Sequence, residues 1–139
     1  MKQLFILLLV SQAAVAQQYD VLIINGKIID GTGNSWFYGD VAIKDGKIVY
    51  VGKTNNVTAP KVINAKGLIV APGFIDVHGH IENGVFENPS AGNYIYDGVT
   101  TVITGNCGNS ADDLNKFFWR IDSMKTSINV ASLVGHNTV

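Results

Sequence analysis

The chain has 139 residues, a length that suits one domain. Hydrophobic residues make up 47% of the sequence and charged residues 15%, which excludes a disordered polymer. The net charge is -1 and the basic residues are scattered along the chain, so the composition argues against a nucleic-acid-binding protein.

Residues 1–16 have the pattern of a secretory signal peptide. Lys2 gives a positive start, residues 4–10 form an apolar run, and Ala14-Val15-Ala16 fits the small-residue cleavage pattern. The apolar run is too short for a spanning helix, which needs about 20 residues. The sequence therefore predicts an exported protein, periplasmic or secreted, with no membrane attachment once the signal is cleaved near Gln17.

Residues 17–71 are predicted to form a small β-sandwich-like unit. Asn25-Gly26 and Asp45-Gly46 each separate two apolar runs, which favours two-residue hairpins with positive φ at both turn positions. Asp30-Gly31-Thr32-Gly33 lacks the glycine spacing of a phosphate loop and is interpreted as a turn. The predicted strands cover 21–24, 27–29, 41–44, 47–51, 62–63 and 68–70.

Residues 72–139 change to alternating strands and helices, which predicts parallel strands joined by right-handed crossovers. Ser110 and Asp113 resemble a capping box at the start of the longer predicted helix. Three strands cannot close a barrel, and a complete (β/α) barrel runs to about 250 residues. We therefore interpret the segment as the first part of an incomplete barrel. The predicted strands cover 74–78, 99–104 and 128–134, and the predicted helices cover 90–96 and 110–125.

All three histidines and the only cysteine fall where predicted barrel strands end. His78 and His80 end the first strand, Cys107 follows the second, and His136 follows the third. In a parallel barrel these positions share the rim on which active sites lie. Because two imidazoles and a thiolate suit zinc or a similar divalent ion, His78, His80 and Cys107 are predicted to be metal ligands.

Three further residues near this rim have both structural and functional interpretations. Asp76 shares the face of the paired histidines by strand alternation but lies deeper, which favours a supporting role over a ligand role. Two roles stay open for His136: a residue of the substrate site, or a structural histidine that is held by hydrogen bonds. Glu82 is interpreted as a solvated loop carboxylate. For Cys107 the structural alternative is a small buried side chain.

The segment from Pro72 to His80, PGFIDVHGH, resembles the first barrel strand of the amidohydrolase superfamily. The segments DGVTTVITGNCG, from Asp97 to Gly108, and VGHNT, from Val134 to Thr138, are similar to its N-acyl-D-amino-acid deacylase (D-aminoacylase) branch. The resemblance implies a metal-dependent (β/α)8 TIM barrel preceded by the small β unit. It implies that Cys107 replaces the lysine or glutamate that bridges metals elsewhere in the superfamily. It also implies two more histidines and a catalytic aspartate beyond Val139.

The function implied by the resemblance is zinc-dependent hydrolysis of linear amide bonds, with one or two Zn²⁺ ions. Hydroxide generated at the metal would attack the amide carbonyl of a small N-acyl amino acid. Because later ligands are expected outside the 139 residues, this piece is expected to be inactive alone. Two alternatives stay open: a cyclic amidase of dihydroorotase or hydantoinase type, which would not need Cys107, and a non-catalytic exported module.

Overall fold

The structure, a computed structural model, describes residues 19–139, so the predicted signal peptide at residues 1–16 lies outside the described residues. The chain divides into two compact units, one ending at Ala71 and the other beginning at Pro72. Between residues 19 and 139, no helix combines the length and the apolar character that crossing a membrane requires.

The first unit contains a single five-stranded sheet in which β1 is central. β1 pairs antiparallel with β2, β2 pairs antiparallel with β3, and both β4 and β5 run parallel to β1. Residues 19–71 therefore supply one layer of the predicted sandwich-like unit and no second sheet. Most side chains of β3 and all of those of β4 are exposed, as a sheet without a covering layer requires. The strands are β1 (Val21–Ile28), β2 (Phe37–Lys44), β3 (Lys47–Gly52), β4 (Lys61–Asn64) and β5 (Ile69–Val70).

The hairpin predicted at Asn25-Gly26 is wrong, because β1 runs through this dipeptide without turning. Asn25 has the expected positive φ of 62°, but Gly26 does not, and the pair forms a β-bulge opposite β2. Before the bulge β1 pairs with β4, and after it β1 pairs with β5. These parallel pairings keep the strand extended through the dipeptide. A Cβ on Gly26 would lie 2.6 Å from Val70 Cγ2, so the close packing of β5 explains the glycine.

The other predicted turns of this unit are confirmed. Asp45 and Gly46 have φ values of 51° and 70°, as a type I′ turn between β2 and β3 needs. The Asp30 carboxylate accepts hydrogen bonds from the N–H and the hydroxyl of Thr32, at 3.0 and 2.7 Å, which closes a local turn. Both features follow from side chains within a few residues, which is why the sequence pattern was sufficient.

The Asp40 carboxylate fastens β2 to two neighbouring segments. Its Oδ1 accepts from the N–H of Asn25 at 2.9 Å, and its Oδ2 accepts from the N–H and the hydroxyl of Thr54 at 2.9 and 2.7 Å. Partial burial raises the pKa of Asp40, but these hydrogen bonds and the charge of Lys53 outweigh it and lower the pKa below its usual value. The ionised form of Asp40 therefore stabilises the bulge and the Thr54 loop.

The second unit is a mixed α/β structure, as predicted, built on a three-stranded parallel sheet with β7 in the centre. Its core lies between this sheet and the helices, where Val102 of β7 is fully buried. The elements are β6 (Phe74–Asp76), α1 (Gly84–Glu87), α2 (Gly92–Ile95), β7 (Val99–Thr104), α3 (Leu114–Met124) and β8 (Asn129–Ser132). The buried core residues are Ile81, Val85, Ala91, Val102, Phe117, Ile121 and Ile128.

The predicted boundaries in this unit need several corrections. α3 begins at Leu114 rather than at Ser110, and Asp113 is its N-cap, accepting from the Lys116 N–H at 3.0 Å. The predicted capping box is therefore wrong: the Ser110 hydroxyl donates instead to the carbonyl of Ala111. β6 and β8 end two residues earlier than predicted, at Asp76 and Ser132, and the four-residue helix α1 was not predicted. β7 matches its prediction at both ends.

Replacing Asp40 by Asn is expected to lower the free energy of unfolding by about 1–2 kcal/mol at neutral pH, because an amide offers one acceptor oxygen where the carboxylate offers two. Since the folded-state pKa lies below the unfolded value of about 3.9, the stabilisation is complete above that pH and disappears as the pH falls through the folded-state pKa. Urea unfolding followed by circular dichroism at several pH values measures this.

The matched control for this experiment is Asp45→Asn, because Asn also favours the first position of a type I′ turn. This control is expected to unfold like the unsubstituted chain. If Asp40→Asn were equally stable at neutral pH, or if its deficit stayed constant down to about pH 2, the charged carboxylate would not be the stabilising group.

Candidate metal centre

Two imidazoles and one thiol meet where β6 and β7 end. His78, His80 and Cys107 each offer one ligand atom, and these atoms all lie within 4.8 Å of one another. His78 Nε2 is 3.2 Å from Cys107 Sγ, and the centroids of the two imidazole rings are 5.5 Å apart. All three side chains are exposed. The structure thus brings together the three residues that the sequence predicted as metal ligands.

The histidine loop is held against β7 by hydrogen bonds to Gly79, the residue between the two histidines. The Gly79 N–H donates to the carbonyl of Ile103 at 3.0 Å, and Asn106 Nδ2 donates to the Gly79 carbonyl at 3.2 Å. A Cβ at this position would lie 2.2 Å from Val102 Cγ1, so only glycine lets the loop come this close to β7. Both histidines are therefore fixed through the backbone that joins them.

The sequence analysis placed Asp76 and the two histidines on one face of a strand. This is wrong, because β6 ends at Asp76 and both histidines lie in the loop that follows. Asp76 instead accepts a hydrogen bond from the His78 N–H, 3.0 Å from its Oδ1, which turns the chain at the end of the strand. Asp76 is not one of the three clustered residues. Its carboxylate holds the backbone that carries His78.

The cysteine loop is held by residues that are buried at the end of β7. A Cβ on Gly105 would lie 2.2 Å from the Leu133 carbonyl oxygen, so the close approach of the next strand requires glycine here. Cys107 itself has a φ of 55°, a left-handed conformation that costs a non-glycine residue about 1–2 kcal/mol. The surrounding loop therefore holds Cys107 in a conformation that it would not adopt alone, with its sulfur beside His78.

Glu82 corrects the sequence-based interpretation, which placed it as a solvated loop carboxylate. Its Oε1 accepts from the buried Thr104 hydroxyl at 2.5 Å and from the Gly105 N–H at 3.0 Å. Partial burial raises the pKa of Glu82, but these hydrogen bonds and the nearby His80 charge outweigh it and lower the pKa below its usual value. No motif in the sequence indicated this contact, which joins residues 22 positions apart.

Tyr94 of α2 is a second residue that the sequence did not single out. Its hydroxyl would be 3.5 Å from a Cβ on Gly79, so it lies beside the histidine loop. Burial raises the pKa of Tyr94, and the negative charges of Asp76 and Glu82 raise it further. Tyr94 lies near the histidines because of tertiary packing, and no local sequence pattern predicts that position.

His136 is not part of the cluster. It follows β8, and its side chain is exposed. The loop that carries it is fastened to the cysteine loop, because the Asn137 N–H donates to the Gly108 carbonyl at 2.7 Å. The prediction that His136 lies at the same rim fits this backbone contact, but the structure gives its imidazole no ligand position among residues 72–139.

The donor set fits zinc. Bond lengths of about 2.0–2.3 Å and tetrahedral angles would place neighbouring donor atoms about 3.4–3.6 Å apart. The observed 3.2 Å between His78 Nε2 and Cys107 Sγ, with the remaining separations within 4.8 Å, is close to this spacing. Two imidazoles and a thiolate also match the ligand preferences of zinc, so these three side chains are suited to hold one ion.

Comparison with known proteins gives matches along most of the chain. Residues 61–129 match the sequence profile of the amidohydrolase family, and residues 8–75 match that of the urease alpha-subunit, N-terminal domain. The N-acyl-D-aspartate deacylase of Alcaligenes xylosoxydans xylosoxydans is 39% identical over 99 residues, which cover 71% of this chain and 20% of the relative.

Two solved structures have the same fold over most of the chain. One is the N-acyl-D-glutamate deacylase of Bordetella bronchiseptica, complexed with zinc and a phosphonate that mimics the tetrahedral intermediate; its TM-score is 0.79 at 36% identity, covering 85% of this chain and 30% of that one. The other is a D-aminoacylase with a binuclear metal centre, with a TM-score of 0.80 at 28% identity, covering 86% and 30%. The chain thus spans less than a third of the length of these relatives.

Replacing Cys107 by Ala is expected to weaken zinc binding by more than about 100-fold, the upper end of what loss of an outer-shell contact costs, because a direct ligand is lost. Competition with a chromophoric chelator measures the affinity. Cobalt binding gives a second readout, since the thiolate-to-cobalt absorption band should vanish in the variant. Asp122→Asn, which changes an exposed carboxylate on α3, is the control. Unchanged zinc affinity in Cys107→Ala would remove the thiolate from the centre.

Proposed function

Because the chain belongs to the amidohydrolase family, we propose that it is part of a zinc-dependent hydrolase that removes the acyl group from N-acyl-D-amino acids. The observation that carries the proposal is the cluster of His78, His80 and Cys107. Paired imidazoles alone suit many metal-dependent hydrolases. A thiolate beside them, within the segment that resembles the D-amino-acid deacylase branch, favours this class of substrate.

The described residues contribute to this activity by binding and orienting the metal. When bound, zinc polarises a carbonyl oxygen and lowers the pKa of a coordinated water to about 7. His78, His80 and Cys107 would hold the ion, and Gly79 fixes the spacing of the two imidazoles through its contacts with β7. The left-handed backbone at Cys107 keeps the sulfur beside them.

The remaining machinery belongs to the rest of the protein in this proposal. The chain spans 20–30% of the length of the relatives compared above. Two further histidines and the aspartate that moves the proton to the leaving amine are proposed to follow Val139. The 139-residue chain alone is accordingly proposed to bind metal without turning over substrate. Residues 1–16 support export of the protein, to the periplasm or beyond the cell.

The proposal is tested on the complete protein that contains this chain. With zinc bound, release of the free amino acid is expected from N-acetyl-D-aspartate or N-acetyl-D-glutamate and not from their L enantiomers. Cys107→Ala is expected to lower kcat/KM by at least about 10-fold through loss of metal, because even outer-shell changes have effects of that size. Asp122→Asn is the control and is expected to keep full activity.

The same assay separates the alternatives. Turnover of dihydroorotate or of a hydantoin, with none of the N-acyl-D-amino acids, would support a cyclic amidase and contradict the proposal. Such an enzyme would not need the sulfur, so its activity would also survive Cys107→Ala. No turnover of any of these amides by a zinc-loaded complete protein would favour a non-catalytic module.

A further inference from the structure

A hydrogen-bond network links the histidine loop to the cysteine loop without using any proposed ligand. Thr104, at the end of β7, is fully buried. Its Oγ1 donates to Glu82 Oε1 at 2.5 Å and accepts from the Ile81 N–H at 3.4 Å. The same Glu82 oxygen accepts from the Gly105 N–H at 3.0 Å. One carboxylate oxygen therefore ties together the segments that follow His80 and precede Cys107.

The network completes a set of contacts that hold His80 from both sides. Gly79, before His80, is fixed by Ile103 and by the Asn106 side chain, as described above. Ile81 and Glu82, after His80, are fixed by Thr104 and by the N–H of Gly105. The backbone of His80 is thus pinned to the end of β7, the strand that leads into Cys107.

The chemistry of this link favours a geometric role over a contribution to stability. A partly buried carboxylate loses hydration, and well-packed apolar residues of similar size often stabilise a core as well or better. Hydrogen bonds have narrow ranges of distance and angle, so they fix the separation of two segments more sharply than apolar contacts do. A metal centre built from two loops needs this control of distance, since its donor atoms must stay within a few tenths of an ångström of their places.

We propose that Glu82 and Thr104 are positioning residues of the metal centre, which hold the His80 loop and the Cys107 loop at the separation that one bound ion requires. The proposal rests on the metal site of the proposed function and adds two residues that are not among the three clustered donors. The two loops are positioned by the hydrogen-bond acceptor at position 82 and the hydroxyl at position 104. The charge and the bulk of these side chains are not needed for it.

The test uses pairs of variants that remove or keep each hydrogen-bonding group. Glu82→Ala removes the acceptor, whereas Glu82→Gln keeps an oxygen that can accept from both donors. Thr104→Val keeps the shape and removes the hydroxyl, whereas Thr104→Ser keeps the hydroxyl. Glu87→Ala is the control, because it removes an exposed carboxylate from α1. For each variant of the complete protein, chelator competition measures the zinc affinity and the absorption spectrum of the cobalt-loaded form is recorded, with circular dichroism as the check on folding.

Glu82→Ala and Thr104→Val are expected to weaken zinc binding by about 10–100-fold, the range found for outer-shell partners of metal ligands. Both should also reduce the thiolate-to-cobalt band, because the sulfur and the imidazoles no longer meet at one ion. Glu82→Gln, Thr104→Ser and Glu87→Ala should bind zinc like the unsubstituted chain. The double variant Glu82→Ala with Thr104→Val should lose little more than either single variant, since both break one network.

Three results would overturn the proposal, and they are distinguishable. If folded Glu82→Ala or Thr104→Val bound zinc normally with an unchanged cobalt spectrum, the positioning role would be wrong while the metal centre would stand. If both variants failed to fold with or without zinc, the network would serve the fold instead. If the complete protein with no substitution bound neither zinc nor cobalt, the metal centre itself would fail, and the positioning role with it.

Discussion

The parallel pairing of β6 with β7 is the constraint from which the arrangement of the site follows. Because both strands run in the same direction, the segments that leave their carboxyl ends emerge at one edge of the sheet. The His78 loop and the Cys107 loop are therefore neighbours in space although 29 positions separate the two residues. A one-residue shift in this pairing would move one loop along the other and separate the sulfur from the imidazoles.

Backbone contacts bring the two loops close enough for their donor atoms to lie at metal-binding distance. Gly79 and Gly105 each sit where a Cβ would come within 2.2 Å of a neighbour, so the two loops approach closely only because these side chains are absent. Cys107 accepts a strained left-handed backbone as part of the same packing. The buried Thr104 and the Glu82 carboxylate add a hydrogen-bonded link across the loops. The site therefore depends on residues that would not be recognised as functional from their chemistry.

The sequence was most informative where chemistry is local or where strand ends are marked by unusual residues. The positive φ at Asp45 and Gly46 follows from turn preferences, and Cys107 stands out as the only thiol beside glycines at a strand end. Asn25 shows the limit, because its left-handed preference is realised as a bulge once two parallel partners extend β1. The contact of Glu82 with β7 could not be read from the sequence, since it depends on packing between segments that are distant along the chain.

The central claim is that one divalent ion is held by a sulfur and imidazole nitrogens from two different loops. X-ray absorption spectroscopy at the zinc edge of the zinc-loaded chain tests it most directly, because sulfur and nitrogen neighbours differ in distance and in scattering strength. The account predicts one sulfur at about 2.3 Å together with nitrogen donors at about 2.0–2.1 Å. A zinc environment made of nitrogen and oxygen alone, with no sulfur neighbour, would contradict it.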